Sequence, residues 1–211
     1  FCKRRCIYCD FFSTTQSEKK PTYIHALCQE LEMRKNYLEG EEIETIYLGG
    51  GTPSQLTEEE QNEIFTSLYN IYKVKEDAEI TLEANPDDLT EEYIQGLRAL
   101  PINRVSLGIQ SFHDRTLRLV GRRHTAMEAI DAVRRLQRAG LTNISIDLMF
   151  GFPGQTLEQW QDDLQQAINL KPEHISAYSL TVEEGTPLQS LCEKGTECAT
   201  EELSLLMYET L

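Results

Sequence analysis

Positive charge is scarce in this chain: lysine and arginine total 20 against 35 aspartates and glutamates, for a formal net charge of −15 at pH 7. General nucleic-acid binders meet phosphates with a basic surface, so that class is excluded, although a local basic patch is not. Long apolar runs are also missing. No stretch reaches the roughly 18 residues that span a bilayer, which argues against an integral membrane protein. There is no recognisable signal segment, linker or low-complexity tract, and no internal repeat of sequence. Cysteine is sparse, at six in 211 residues, and the chain is too long for the disulfide framework of a small secreted domain. Its length fits one large domain or two small ones, with room for a substantial core.

What is present is concentrated at the start. Cys2, Cys6 and Cys9 stand within the run from Phe1 to Phe12, at C-x₃-C-x₂-C spacing. Three thiols on one short loop can turn toward a single object. Thiolates are soft ligands that select iron–sulfur clusters, zinc or copper(I). A zinc knuckle needs a fourth ligand close by, and none follows within fourteen residues. A [4Fe–4S] cube is normally held by four cysteines. With three, one iron lacks a protein ligand and is open to a small molecule, which is a catalytic arrangement rather than a purely electron-carrying one. Such thiols belong in a reducing, cytoplasmic setting. Cys28 falls in a helical pattern and reads as a buried small hydrophobe. Cys192 and Cys198 read as incidental.

The pattern along the chain is strand, loop, helix, repeated. Apolar periodicity predicts helices over Thr22–Leu38, Thr57–Tyr72, Thr90–Leu100, Asp114–Val120, Thr125–Ala139 and Thr156–Leu170. Thr57 with Glu60 forms a capping box, and a boxed glutamate is expected after Thr90 as well. Strands are expected over Ile43–Leu48, Ala78–Ala84, Arg104–Ile109, Ile144–Phe150 and His174–Leu180. Strands alternating with helices of this length imply parallel βαβ units in an α/β fold. A strand before Phe1 would make six. The chain begins one residue before a candidate ligand and ends inside a helical pattern, so it reads as a piece of a longer protein.

In parallel α/β folds, functional groups collect at the carboxyl ends of the strands. The strand ends here carry Gly49-Gly50-Gly51-Thr52, then Glu83 and Asn85, then Gln110 and Ser111, then Asp147, and last Tyr178, Ser179 and Thr181. Three glycines ahead of Thr-Pro exceed what a tight turn needs, and suit a ligand amino group meeting backbone carbonyls. Glu83 and Asp147 interrupt apolar strands, where a carboxylate is costly unless bonded. Arg122 in Gly121-Arg-Arg-His124 is a further site residue, and Arg123 reads as solvated.

Taken together, these residues resemble the radical S-adenosylmethionine (SAM) superfamily. The C-x₃-C-x₂-C loop, with aromatic Tyr8 before its last cysteine, is similar to the superfamily signature. Gly49-Gly-Gly-Thr-Pro53 is similar to its binding segment for the methionine amino group. Within the superfamily the chain resembles the group of oxygen-independent coproporphyrinogen III oxidases and HemW-type heme chaperones. The resemblance rests on Tyr47-Leu-Gly-Gly-Gly-Thr-Pro-Ser54, Glu83-Ala-Asn-Pro86, Ser106-Leu-Gly-Ile-Gln-Ser-Phe112 and Asp147-Leu-Met-Phe-Gly-Phe-Pro-Gly-Gln-Thr156.

The resemblance implies a partial (β/α)6 TIM-like radical SAM barrel of parallel strands. Residues 1–185 would be its core, lacking the N-terminal strand, and residues 186–211 the start of a C-terminal region. It implies that Cys2, Cys6 and Cys9 hold a [4Fe–4S] cluster. Tyr8, Gly50 and Glu83 would hold cluster-bound SAM. Gly51, Thr52, Gln110, Arg122, Asp147 and Thr181 fall where the oxidase lines a second SAM-like pocket. The oxidase carries another cysteine two residues after the third ligand, whereas here Cys9 is followed by Asp10-Phe11-Phe12. That matches the chaperone branch, whose implied partners are heme and respiratory-chain acceptor proteins; for heme, His124 would be the leading candidate axial ligand, ahead of His25, His113 and His174. The alternative is the oxidase, which decarboxylates porphyrin propionates with a radical from SAM. Either implies an electron donor such as flavodoxin or ferredoxin.

Overall fold

The computed structural model describes residues 1–211. Five parallel strands form one curled, open sheet in sequence order: β1 (Ile43–Leu48), β2 (Val74–Ala84), β3 (Arg104–Gln110), β4 (Ile144–Phe150) and β5 (His174–Ser179). Parallel neighbours need crossovers. These are α2 (Glu58–Ile71), α3 (Glu91–Leu97), the pair α4 (Asp114–Leu119) and α5 (Ala126–Arg138), and α6 (Leu157–Asn169). Helix α1 (Lys20–Met33) precedes the sheet and packs on α2. Helices α7 (Pro187–Glu193) and α8 (Glu201–Glu209) follow it.

The helices begin where local chemistry starts them. Thr57, Thr125 and Thr156 each accept a hydrogen bond from the third helical N–H, and each box is closed by Glu60, Glu128 or Gln159 reaching back. Thr90 caps α3 without such a box, because the third helical residue is Tyr93 rather than a glutamate. Helix α1 starts earlier and stops sooner than its apolar pattern suggests: Pro21 sits in its first turn, and turns run from Arg34 to Gly40, where Glu39 and Gly40 have φ of 51° and 84°. Strand β2 extends back to Val74, pairing with Ile43 across a register shift.

The core lies between the sheet and its outer helices. Val105, Leu107, Ile109, Ile144, Ile146 and Leu148 are sealed on the central strands against Ala132, Val133 and Leu136 of α5. Trp160 of α6 is fully buried, 5.1 Å from the Phe150 ring, and donates its indole N–H to the carbonyl of Met207 at 2.9 Å. That bond fastens α8 to α6. The edge strands β1 and β5 are far more exposed than β3 and β4.

Cys192 and Cys198 are not incidental: they form a disulfide with Cα atoms 6.1 Å apart. Gly195, at φ 98°, lets the segment between them fold back on itself. Cys28 is half-buried at the core's edge, its thiol 3.9 Å from the Glu63 carbonyl. No helix is long and apolar enough to cross a membrane.

Candidate functional site

The concave side of the sheet opens at the carboxyl ends of the strands into a cavity of about 680 Å³. Cys2, Cys6, Cys9, Tyr8, Gly50, Gly51, Thr52, Glu83, Gln110, Arg122, Asp147 and Thr181 all line it. These twelve expected site residues are therefore brought to one place, from segments more than a hundred residues apart.

One wall is the cysteine loop. It has no helix or strand before Ser17 and is held by scattered bonds: Cys2 N–H to Thr14 O, Ile7 N–H to Val120 O at 3.1 Å, and Leu188 N–H to Ile7 O at 3.0 Å. Its thiols are free. They stand apart rather than converging on one point as a single tetrahedral ion requires. No further cysteine or histidine lines the cavity. Three free thiols with no fourth ligand are the donor set expected for a four-iron cube with one iron open to a non-protein ligand. The Cys2 thiol lies 3.3 Å from the Thr52 hydroxyl, and Arg122 Nη1 is 3.7 Å from the Cys6 sulfur. Burial pushes the Cys9 thiol up, and the neighbouring cysteines add to it. Tyr8 packs edge-on against Phe152, with ring centroids 6.3 Å apart, and burial raises its hydroxyl strongly.

The other wall is made of strand ends. Two of the three glycines have a stated reason to be glycine. Gly50 has φ 108°, and a Cβ on Gly51 would lie 2.6 Å from the Phe1 backbone nitrogen. Glu83 accepts from the Tyr47 hydroxyl at 2.8 Å and from the Gly50 N–H at 3.0 Å, so the protein itself answers the cost of placing this carboxylate inside. Burial, followed by that bond to Glu83, moves the Tyr47 hydroxyl up to about 12. Asp147 accepts from Ser106 Oγ at 3.2 Å; burial raises its carboxyl, partly opposed by the Ser106 and Ser176 hydroxyls.

Arg122 donates to Asn85 Oδ1 at 2.6 Å and to the Gly108 carbonyl. Its Nε and the Gln110 Oε1 are buried without protein partners. Gln110 has φ 74° beside the register shift between β3 and β4, and this backbone kink re-aims its side chain.

Two expectations are corrected. Arg123 is not solvated: it pairs with Asp87 and, at 3.2 Å, with Asp88. His124 does not reach the cavity. Its ring is 3 % exposed and its Nε2 lies 3.0 Å from the Ile109 carbonyl, behind the strand wall. It is in no position to be an axial ligand. Its pKa falls to about 3, first through burial and then through the adjacent Arg122. Nor are the other histidines in the cavity lining.

Two structural groups escaped the sequence reading. Asp163 of α6, fully buried, accepts from Ser111 Oγ at 2.9 Å and from Phe112 N–H at 2.5 Å, which fixes the turn just after Gln110. Gln155 then joins Asp163 to the turn after β4 by accepting from Gly151 N–H at 2.9 Å. The only hint was an acidic residue on the inner face of an otherwise amphipathic helix. The second group is Asp88, described below.

The family model of the radical SAM superfamily matches residues 1–167. The chain belongs to that superfamily. Radical SAM membership implies use of a [4Fe–4S] cluster and SAM, and the donor set described above fits both. Among curated proteins, the chain is 38% identical over 212 residues to heme chaperone HemW of Bacillus subtilis, covering 99% of this chain and 56% of that protein. It is 41% identical over 192 residues to heme chaperone HemW of Haemophilus influenzae, covering 88% of this chain and 50% of that one. The chain thus spans about half the length of the curated relatives it matches. Among solved structures, the Escherichia coli coproporphyrinogen III oxidase HemN, described as a radical SAM enzyme, superposes with a TM-score of 0.87 at 26% identity, over 99% of this chain and 49% of that one. An archaeal Elp3 from Methanocaldococcus infernus superposes at 0.73 and 21% identity, over 91% of this chain and 51% of that one, a likeness of fold alone. The half-barrel is therefore a radical SAM barrel of the TIM-like kind.

Proposed function

We propose that this chain is the cluster- and SAM-binding half of a heme chaperone, which binds heme and delivers it to respiratory proteins in the cytoplasm. The observation that carries the reading is the pairing of three free thiols with the Gly50–Glu83 corner in one cavity, in a chain whose relatives at 33–41% identity are HemW heme chaperones. The absence of a cysteine two residues after Cys9 supports the same branch.

In this reading residues 1–185 form the radical SAM core and residues 186–211 open the region that follows. Cys2, Cys6 and Cys9 would hold the cluster, and Gly50, Glu83 and the Tyr8 backbone would hold SAM beside it. When bound and reduced by a donor such as flavodoxin or ferredoxin, a cluster here would supply one-electron chemistry to SAM. The protein's own part is to orient and to exclude water. Glu83, already fixed by Tyr47 and Gly50, keeps an acceptor toward ribose hydroxyls. Gln110 and Arg122 line the cavity deeper in, where a second polar ligand would sit. Gly51, Thr52, Asp147 and Thr181 complete that inner surface.

The deciding experiment uses the full-length protein, reconstituted anaerobically. Stoichiometric heme uptake, with transfer to an acceptor and no decarboxylation of coproporphyrinogen III, is the expected result. Decarboxylation with consumption of SAM would assign the oxidase activity instead, the alternative for which the HemN superposition speaks.

A further inference from the structure

We infer that Asp88 is a positioning residue that sets the geometry of the cysteine loop, clamping together three segments of the chain. It lies just past the end of β2, in the turn Asn85-Pro86-Asp87-Asp88, and its side chain is 2 % exposed. A buried carboxylate is costly unless surrounded by donors, and this one is. Oδ1 takes the Lys3 ammonium at 2.8 Å and the Arg123 guanidinium at 3.2 Å. Oδ2 takes the Ser54 hydroxyl at 2.8 Å and the Gln55 amide.

Each donor stands next to something the site uses. Lys3 follows Cys2. Ser54 and Gln55 follow the glycine run and Thr52, whose hydroxyl meets the Cys2 thiol at 3.3 Å. Arg123 follows Arg122, whose guanidinium meets the Cys6 sulfur at 3.7 Å. The network closes on itself, because Ser54 Oγ also accepts from Asn85 N–H at 3.2 Å while Asn85 Oδ1 holds Arg122 at 2.6 Å. The first half of the cysteine loop has no regular structure of its own. The one ion pair from Lys3 to Asp88 ties it to the sheet on the side of Cys2, opposite the bonds through Ile7. Asp88 touches neither the thiols nor the cavity, so it acts through its neighbours.

The inference rests on the reading of Cys2, Cys6 and Cys9 as ligands, but its test does not need iron. In the metal-free full chain, alkylation of each cysteine by iodoacetamide is followed by mass spectrometry for wild type, Lys3→Met, Lys3→Arg, Asp88→Asn and the double variant Lys3→Met/Asp88→Asn. Lys3→Met should speed alkylation of Cys2 and Cys6 roughly five- to tenfold, the loosening that loss of one charge-assisted hydrogen bond permits. Lys3→Arg should restore near wild-type rates, the double variant should exceed Asp88→Asn by little, and Cys28 should not respond. If Asp88→Asn does not fold, Lys3→Met and its rescue decide alone, since Lys3 is half-exposed and dispensable to the core. Wild-type alkylation rates in folded Lys3→Met would overturn the clamp. Iron uptake is read separately: failure of the wild-type chain to bind iron would remove the clamp's purpose, and is told apart because the thiol rates are measured without metal.

Discussion

The two walls of the cavity are built on opposite principles. The strand wall stands on β2, β3 and β4, whose core-facing residues are sealed and whose backbones are paired on both sides. The cysteine wall has no regular structure, Arg4 and Arg5 are exposed, and its place is set by partners from other segments: Thr14, Asp88, Val120 and Leu188. The stiff wall can carry groups that must not move, such as Glu83 and Asp147. The loose wall carries the three thiols, which in the proposed reading would need the right spacing only once a cluster fills the gap. Binding chemistry is local on the loop, whereas its geometry is borrowed.

The sharpest way to break this contrast is on the loop itself. Cys6→Ala should abolish iron binding on anaerobic reconstitution while leaving circular dichroism and melting temperature close to wild type. Full iron occupancy would sink the cluster assignment, and a collapsed fold would show that the loop supports the sheet after all.

The next test lies behind the strand wall. Unfolded histidine takes a proton near pH 6.5, but His124 in the fold resists until about 3, held down by burial and Arg122. Its contribution to stability is therefore present above pH 6.5 and lost as pH falls through that value toward 3. Between pH 7 and 4.5 this one group should cost about 3 kcal/mol. Denaturant titrations of wild type and His124→Gln at both pH values should show the wild type losing that much more. Parallel pH slopes would refute it.

Glu83→Ala should leave the iron in place and weaken SAM binding by roughly ten- to a hundredfold, the value of one or two hydrogen bonds to a charged group. Titration of SAM into the reconstituted protein reads it, and an unchanged affinity would take Glu83 out of the cofactor site. The smallest effect is expected from Thr156→Ala, which removes the cap of α6 behind both walls. It should cost about 1 kcal/mol, or ~2–4 °C in melting temperature, without altering iron or SAM binding.

The legible parts were those whose cause is local. Strand ends, threonine caps, the thiol spacing and the Gly50–Gly51 turn declare themselves within a few residues, and all twelve expected site residues meet in one cavity. What sequence did not show depends on contacts across the fold. Arg123 looks solvated until the turn at Asp87 and Asp88 arrives beside it, 35 residues away. His124 looks like a ligand near the mouth until β3 covers it. Asp163 looks like one more acid in an acidic chain until Ser111 and Phe112 bond to it. Cys192 and Cys198 pair because Gly195 turns the backbone between them, a matter of one dihedral angle that spacing alone does not specify.

The lone tryptophan gives this molecule an internal lamp. Trp160 is dark to solvent, lies on the far side of the sheet from the cavity lining, and is hooked to α8 through its indole nitrogen. A red shift of its emission at unchanged circular dichroism therefore signals the peeling of α8 from α6 rather than a change in the cavity.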